Sequence, residues 1–378
     1  MQPYGASSFM IGADNMLCNK TIAVVVPAYN EEHQILTVLR TMPDFVDRIV
    51  VVDDSSRDRT VAVVEQYLRE HGEGPRPCGI LPVERDAASE LGRLYHQLDQ
   101  EEDARFLPSE VVNDAPDRQR VILIRNLVNG GVGAAIARGY KWCRDHGIAC
   151  TAVMAGDAQM DPSELESLCL PVIEEDVDYV KGNRLIHRTA RAVIPKVRFI
   201  GNSVLSLLTK IASGYWRVSD TQTGYTAISL RALKAIRLDD IYKRYGMPND
   251  MLVKLNMAYC TLREVEIRPV YNVGEQSKMR VGRVIFTISW LLTRLFFKRL
   301  WGKYFLRDFH PLFILYNMGM LLSLVNIPVA FSVLETTFSG AQYRTSILIL
   351  FAILCISSFQ SLVFAMWMDI QDNERLYK

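Results

Sequence analysis

Two apolar runs, residues 311–334 and 346–368, lie near the end of this chain and limit its fold more than any other feature. Each is about one bilayer thickness of helix, because roughly 20 apolar residues at 1.5 Å rise span a hydrocarbon core. Between them the only charges are Glu335 and Arg344. Residues 281–309 lead into the first run. They set Arg283, Arg294, Lys298, Arg299, Lys303 and Arg307 among Phe, Leu, Ile and Trp, a basic amphipathic stretch suited to the bilayer interface. Positive charge on that flank predicts a large N-terminal part in the cytoplasm and a hairpin tip on the far side. The expectation is an integral protein of the cytoplasmic membrane. Asn317, Asn326 and Gln360 fall at membrane depth and are expected to tie the two helices together, or to join helices of neighbouring chains into a homo-oligomer.

The residues before 281 read differently. From 21 to about 125, β-branched runs (22–27, 49–52, 121–124) alternate with helix-like segments (31–42, 60–69), the rhythm of an α/β doubly wound, mostly parallel sheet. Residues 71–119 interrupt it with Gly72, Gly74, Pro75 and Pro77 and many charges. They read as a solvated insertion with one short helix near 89–98, or as a disordered loop. The rhythm resumes with strands at 152–155, 177–181 and 262–267 and helices near 162–174, 186–216 and 229–237. Lys and Arg number 43 against 42 Asp and Glu, a net charge of +1, which excludes a generally basic nucleic-acid binder. Seven scattered cysteines without a CxxC pair predict reduced, buried thiols rather than a disulfide framework or a thiolate zinc site. The first twenty residues lack a basic region followed by an apolar run, so no secretory signal is expected.

Chemistry in such sheets gathers beyond the carboxyl ends of the strands. Pro27-Ala28-Tyr29-Asn30-Glu31 follows the first strand and Asp53-Asp54-Ser55-Ser56 the second. A carboxylate there can accept hydrogen bonds from a base or ribose, and the same residues can equally end strands and cap helices. Asn129-Gly130-Gly131-Val132-Gly133 opens a helix and suits either close approach to a phosphate or tight strand-to-helix packing. In Gly156-Asp157-Ala158-Gln159-Met160-Asp161-Pro162, Asp157 and Gln159 are two apart. On an extended segment both face one side, with hard oxygens for Mg²⁺ or Mn²⁺. Asp161-Pro162 is expected to cap the following helix.

PAYNE, VVDDSSRDRT, NGGVGAAIARG, GDAQMDP and DTQTGYTAI, in this order, resemble the signatures of GT-A fold, family 2 glycosyltransferases. With the C-terminal hairpin, the chain is most similar to the branch of dolichol-phosphate mannose synthase and the bacterial polyprenyl-phosphate glycosyltransferases. The resemblance covers about 21–70 and 120–370 and leaves out 71–119. It implies a cytosolic nucleotide-sugar transferase domain over 1–280, interfacial helices over 281–309 and a two-helix membrane hairpin over 310–378. It further implies that Pro27, Tyr29 and Glu31 border the nucleoside, that Asp54 with Asp53 holds base or ribose, and that Gly133 lies on the donor side. Asp157 matches the last carboxylate of the family's DxD metal motif and Gln159 a further metal-side ligand. Ala155 replaces the first Asp. Arg184 resembles the arginine that meets an acceptor phosphate, joined by Arg198, Asn202, Asp220 and Lys278. Asp250 stands where many members carry a catalytic base.

The expected reaction moves a sugar, with inversion, from GDP-mannose or a UDP-sugar to polyprenyl or dolichyl phosphate. A phosphomonoester with a second pKa near 6 is already a nucleophilic dianion at neutral pH, so a strong base is unnecessary. Two like charges about 4 Å apart at an effective dielectric near 20 cost on the order of 4 kcal/mol, so fixed cations must offset the repulsion between donor and acceptor phosphates. A sugar-hydroxyl acceptor, which would make Asp250 essential, and an inactive membrane scaffold, favoured only by Ala155, are the competing expectations.

Overall fold

The computed structural model describes residues 17–71, 90–116, 118–186, 196–268, 281–340 and 342–378. Its centre is an eight-stranded sheet: β1 (Ile22–Ala28), β2 (Arg48–Asp53), β3 (Ser109–Val111), β4 (Val121–Asn126), β5 (Cys150–Val153), β6 (Tyr179–Asn183), β7 (Thr226–Ser229) and β8 (Leu262–Glu266). Their order is β3-β4-β2-β1-β5-β7-β6-β8. All neighbours pair in parallel except β3, antiparallel to β4, and β7, antiparallel between β5 and β6. The carboxyl ends of β1, β2, β4, β5, β6 and β8 therefore share one edge.

The near-continuous apolar strands follow from burial on both faces. Alternate residues of one strand enter two separate cores. Ala23 and Val25 pack on one side with Val50 and Val52, while Ile22, Val24 and Val26 pack on the other with Ile49 and Val51. Each such Val or Ile contributes about 1.5–3 kcal/mol by leaving water. Helix α4 (Val132–Asp145) fills the first core with Ala135, Ile136, Tyr140 and Cys143. Helices α1 (Ile35–Arg40), α2 (Thr60–His71) and α5 (Leu165–Glu174) close the second.

The structure departs from the sequence reading in places. The described part of the insertion carries the expected helix, longer than anticipated and mostly exposed. Helix α3 (Glu90–Asp103) docks on α4 through Glu102–Arg144 at 2.7 Å and Asp103–Lys141 at 3.3 Å, and β3 extends the sheet edge. Strand β7 was not anticipated, because TAIS is a short run directly before a helix. The interfacial stretch forms α9 (Val281–Trp301), lying against α6 (Lys196–Ser213) and near α8 (Met247–Met257); α7 is Leu230–Ala235. Phe286, Trp290, Trp301, Phe305 and Leu306 are exposed in this region, as an interfacial segment requires. Arg299 and Lys303, however, do not face headgroups: both are buried and paired with acidic residues of the last helix.

The hairpin comprises α10 (Pro311–Ser339) and α11 (Thr345–Glu374), both longer than the apolar runs and both long and apolar enough to cross a bilayer. Most of their surface is bare hydrocarbon, which is costly in water. Of the three expected polar ties, Asn326 reaches across to Cys355. Asn317 bonds the Phe313 carbonyl of its own helix, and Gln360 is exposed. A further tie is elsewhere: Ser358 Oγ donates to the Gly319 carbonyl, and a Cβ on Gly319 would lie 2.7 Å from Leu362. Small residues let these backbones approach. After α11 the chain returns to the sheet. Leu376 enters the first core, and the Leu262 N–H donates to the Leu376 carbonyl at 2.7 Å.

Candidate active site

The loops after β1 and β2 are stitched to each other. Asn30 N–H donates to Ser56 Oγ, Glu31 N–H to Thr60 Oγ1, and Arg57 N–H to Asn30 Oδ1. Pro27 is buried in β1 opposite Val52, and its carbonyl accepts from Gly156 N–H at 3.2 Å. That bond brings the Asp157 loop beside the first strand. Tyr29 is exposed above it, and Glu31 starts α1 by accepting from Ile35 N–H.

The paired aspartates have different tasks. Asp54 is buried and holds the glycine turn: its oxygens accept from Gly131 N–H at 2.6 Å, Gly130 N–H at 3.0 Å and Asn126 Nδ2 at 2.9 Å. Those bonds engage both oxygens of the carboxylate expected at a base or ribose. Asp53 is the one with capacity left. Its Oδ2 accepts from Ser56 N–H, while its buried Oδ1 has no partner among the described residues. Burial lifts its carboxyl above the ordinary range, against the Ser56 hydrogen bonds and the charge of Arg125.

The glycine motif answers to packing, but against a distant segment rather than its own strand. Gly133 N–H donates to the Lys243 carbonyl at 2.9 Å, and a Cβ there would meet the Tyr242 carbonyl at 2.0 Å. Gly131 has φ +90° and also abuts Lys243. The start of α4 is thus covered by backbone, so Gly133 does not cradle a phosphate. Gly133→Ala is expected to cost about 2 kcal/mol or more by overpacking against a main chain that cannot yield. Chemical denaturation would check it, and an unchanged midpoint would refute it. Asp250 serves the same segment. Its carboxylate accepts from Tyr242 N–H at 2.8 Å and from Lys254 Nζ at 2.6 Å, and it is buried. An acid whose Oδ2 is held in this way braces α8 against the Tyr242–Lys243 turn.

Asp157 and Gln159 do not lie on an extended segment. Ala158 takes φ 56°, and Asp157 Oδ1 accepts from Gln159 N–H at 3.1 Å, closing a tight turn. A non-glycine residue in this region costs on the order of 1–2 kcal/mol, the kind of strain that collects at functional loops. Asp161 caps the next turn through Ser163 N–H at 2.9 Å, as its Pro neighbour predicts. Among the described residues no group of three His, Cys, Asp or Glu could hold a metal. One carboxylate and one amide oxygen fit a divalent cation that arrives with a diphosphate supplying further oxygens, and do not fit one held by protein alone.

The Asp157 loop is joined to the loop before β7: Tyr225 Oη donates to the Asp161 carbonyl at 2.9 Å. In the sheet, Val153 and Lys181 both pair with Thr226. Arg184, just past β6, holds buried Asp220 through Nε at 2.8 Å and Nη2 at 3.1 Å. Asp220, expected to bind the acceptor, instead orients Arg184 and also accepts from Gln222 N–H. Burial raises its carboxyl, but Arg184 and then Lys181 outweigh that and hold it below the ordinary range. Sequence reasoning missed two supports here. Lys181 is fully buried, donates to the Thr223 carbonyl, and is drawn down to about 8 by burial with Asp220 opposing. Glu264 accepts from Ser219 N–H, Asp220 N–H and Asn183 Nδ2. A charged residue inside a strand pattern was the only signal for either. The side chains of Arg198 and Asn202, and all of Lys278, lie outside the described residues.

Several known proteins are similar to this chain. A UDP-N-acetylglucosamine–dolichyl-phosphate N-acetylglucosaminyltransferase of Methanococcus voltae is 25% identical over 274 residues, 71% of this chain and 95% of its own. A dolichyl-phosphate beta-glucosyltransferase of Trichomonas vaginalis is 22% identical over 302 residues, 76% of each chain. An undecaprenyl-phosphate mannosyltransferase of Micrococcus luteus is 28% identical over 171 residues, 45% of this chain and 69% of its own. Among solved structures, the glucosyl-3-phosphoglycerate synthase of Mycobacterium tuberculosis, in complex with Mn²⁺, UDP and glucosyl-3-phosphoglycerate, aligns with a TM-score of 0.45 at 14% identity, covering 75% of this chain and 80% of its own. The profile of glycosyl transferase family 2 matches residues 23–85 and 108–237, from β1 through β7 with every signature loop between them. The chain is a glycosyltransferase and belongs to glycosyl transferase family 2.

Proposed function

We propose that this glycosyltransferase passes a sugar from a nucleotide-sugar to a polyprenyl or dolichyl phosphate at the membrane surface. The observation that carries the reading is the anchoring of the α10–α11 hairpin, through Arg299–Asp369 and the Leu376 return, to the same domain that holds Arg184 and Asp157. A long polyprenyl chain stays in the bilayer, so its phosphate must be met there. The three relatives named above act, by their names, on dolichyl or undecaprenyl phosphate.

In this reading the open Oδ1 of Asp53 takes a hydrogen from the nucleoside, with Pro27, Tyr29 and Glu31 around it. Asp157 and Gln159 face the donor diphosphate and would hold a Mg²⁺ or Mn²⁺ arriving with it, which when bound neutralises the leaving nucleoside diphosphate. Arg184, fixed by Asp220, offers positive charge to the acceptor phosphate, with Arg198, Asn202 and Lys278 assigned to the same side. The acceptor oxygen forms a bond to the anomeric carbon as that carbon's bond to the diphosphate breaks, inverting its configuration. No proton has to be removed, in keeping with an Asp250 occupied by Lys254 and Tyr242. The domain faces the cytoplasm, where nucleotide-sugars are made.

The test incubates purified chain with GDP-mannose, UDP-glucose and UDP-N-acetylglucosamine, with undecaprenyl phosphate present or absent and Mn²⁺ present or chelated. The expected result is consumption of one donor only when the lipid phosphate is present. Consumption that ignores the lipid, or no consumption of any donor, would overturn the acceptor assignment.

A further inference from the structure

Arg299 and Asp369 form a bidentate ion pair at 2.7 and 2.8 Å, with 1% and 0% of their side chains exposed. The pair joins three parts of the molecule. Arg299 belongs to α9 and Asp369 to the domain-side end of α11. Arg299 also donates from Nε to the Ala212 carbonyl and from Nη2 to the Ile211 carbonyl, capping the C-terminal end of α6. Gly214 follows at φ +78°, and a Cβ there would lie 2.5 Å from Arg299 Nη1, so glycine is needed for both the turn and the guanidinium. Asp369 is completed by Tyr304 Oη, Trp216 Nε1 and Asn373 Nδ2. Beside it, Lys303 Nζ donates to Asn256 and Asn373, and Asn256 Nδ2 donates to Asn373.

Two helices lead from this cluster to the Asp220 loop. Helix α6 ends on Arg299 and, two turns earlier, its Ser206 Oγ donates to the Ser219 carbonyl at 2.6 Å. Helix α8 carries Asn256 at the cluster and Asn249 at its other end, where Asn249 Oδ1 accepts from Gln222 Nε2 at 3.1 Å and Thr209 Oγ1 at 3.0 Å. Residues 219–222, which orient Arg184, are thus joined at two points to two helices whose far ends are fastened to the last apolar helix. Breaking a buried pair by removing one partner is strongly unfavourable, so the clasp has one arrangement.

We propose that the Arg299–Asp369 pair positions the Asp220–Arg184 loop at a fixed height against the apolar hairpin, so that a phosphate rising from the bilayer meets Arg184. The assignment rests on the acceptor reading above. Neither residue touches substrate; both act through α6 and α8.

Asp369→Asn, which keeps the shape but leaves one acceptor oxygen where Tyr304 and Trp216 use two, and Arg299→Met are compared with the unaltered full chain in phosphatidylcholine vesicles. Transfer is measured to undecaprenyl phosphate in the vesicle and to water-soluble geranyl phosphate. Both variants should lose at least tenfold in kcat/KM for the long-chain acceptor, mainly through KM, and less than threefold for geranyl phosphate, with the donor KM within twofold. Equal losses on both acceptors, or none on either, would overturn the proposal. Hydrogen exchange reads the clasp without any transfer. In Asp369→Asn, amides of 211–216 and 369–376 should exchange at least tenfold faster while β1, β2 and β5 keep their rates. Equal acceleration everywhere, or none, also overturns it. If the unaltered chain passes sugar to neither acceptor, the acceptor reading falls and exchange alone decides the clasp.

Discussion

Asp157→Asn should fold as the unaltered chain does and lose transfer by about 10²–10³-fold, the range for deleting one preorganised electrostatic group at a developing charge. Folding should survive because an amide oxygen can still accept from Gln159 N–H and so keep the turn around Ala158. Transfer should not, because Asp157 is the only carboxylate on this loop before the capping Asp161, and Ala155 offers none. The measurement is kcat/KM for donor consumption across a Mn²⁺ titration, with thermal unfolding alongside. A variant that keeps more than a tenth of the transfer would remove Asp157 from the donor side. The reverse change, Ala155→Asp, adds a second hard ligand two residues away and should lower the Mn²⁺ concentration needed for half-maximal rate.

Asp220→Asn should act on stability first, by about 3 kcal/mol. The carboxylate is buried and is the shared counter-charge of Arg184 and Lys181. Removing it strands two cations, one of them fully buried, although Arg184 keeps some solvent. The pH dependence has a definite sign. The folded carboxyl sits below its ordinary value, so its contribution is complete above the unfolded pKa, near 4, and is lost as pH falls through the folded value. The gap between variant and unaltered chain should therefore be constant from pH 5 to 7 and close in stronger acid. Denaturant midpoints across that range decide it. A gap that widens on acidification would mean that Asp220 is not the charged partner of Arg184. Transfer should fall too, because a single amide oxygen cannot replace the two that Nε and Nη2 of Arg184 now use.

Much of this was written in local pattern. Strands such as 22–28 and 48–53 are β-branched runs with buried residues on both faces, so periodicity and composition located them, and their ends located the loops that matter. The order of those loops was enough to identify the family. Local pattern also found the Asp161 cap and the two apolar helices, because each depends on residues close in sequence.

Partnership between distant residues was not legible. Asp53 and Asp54 are neighbours of the same type, and only folding decided that Asp54 holds Gly130 and Gly131 while Asp53 keeps an open oxygen. Gly133 looked like a phosphate turn until the chain brought Lys243 onto it from 110 positions away. Arg299 and Lys303 read as headgroup-seeking charges because their partners Asp369 and Asp372 come about 70 residues later. The reason is physical: apolar burial is a property of each residue and its near neighbours and leaves a periodic trace. A buried charge or a glycine is justified by one specific group across space, and sequence carries no period for that.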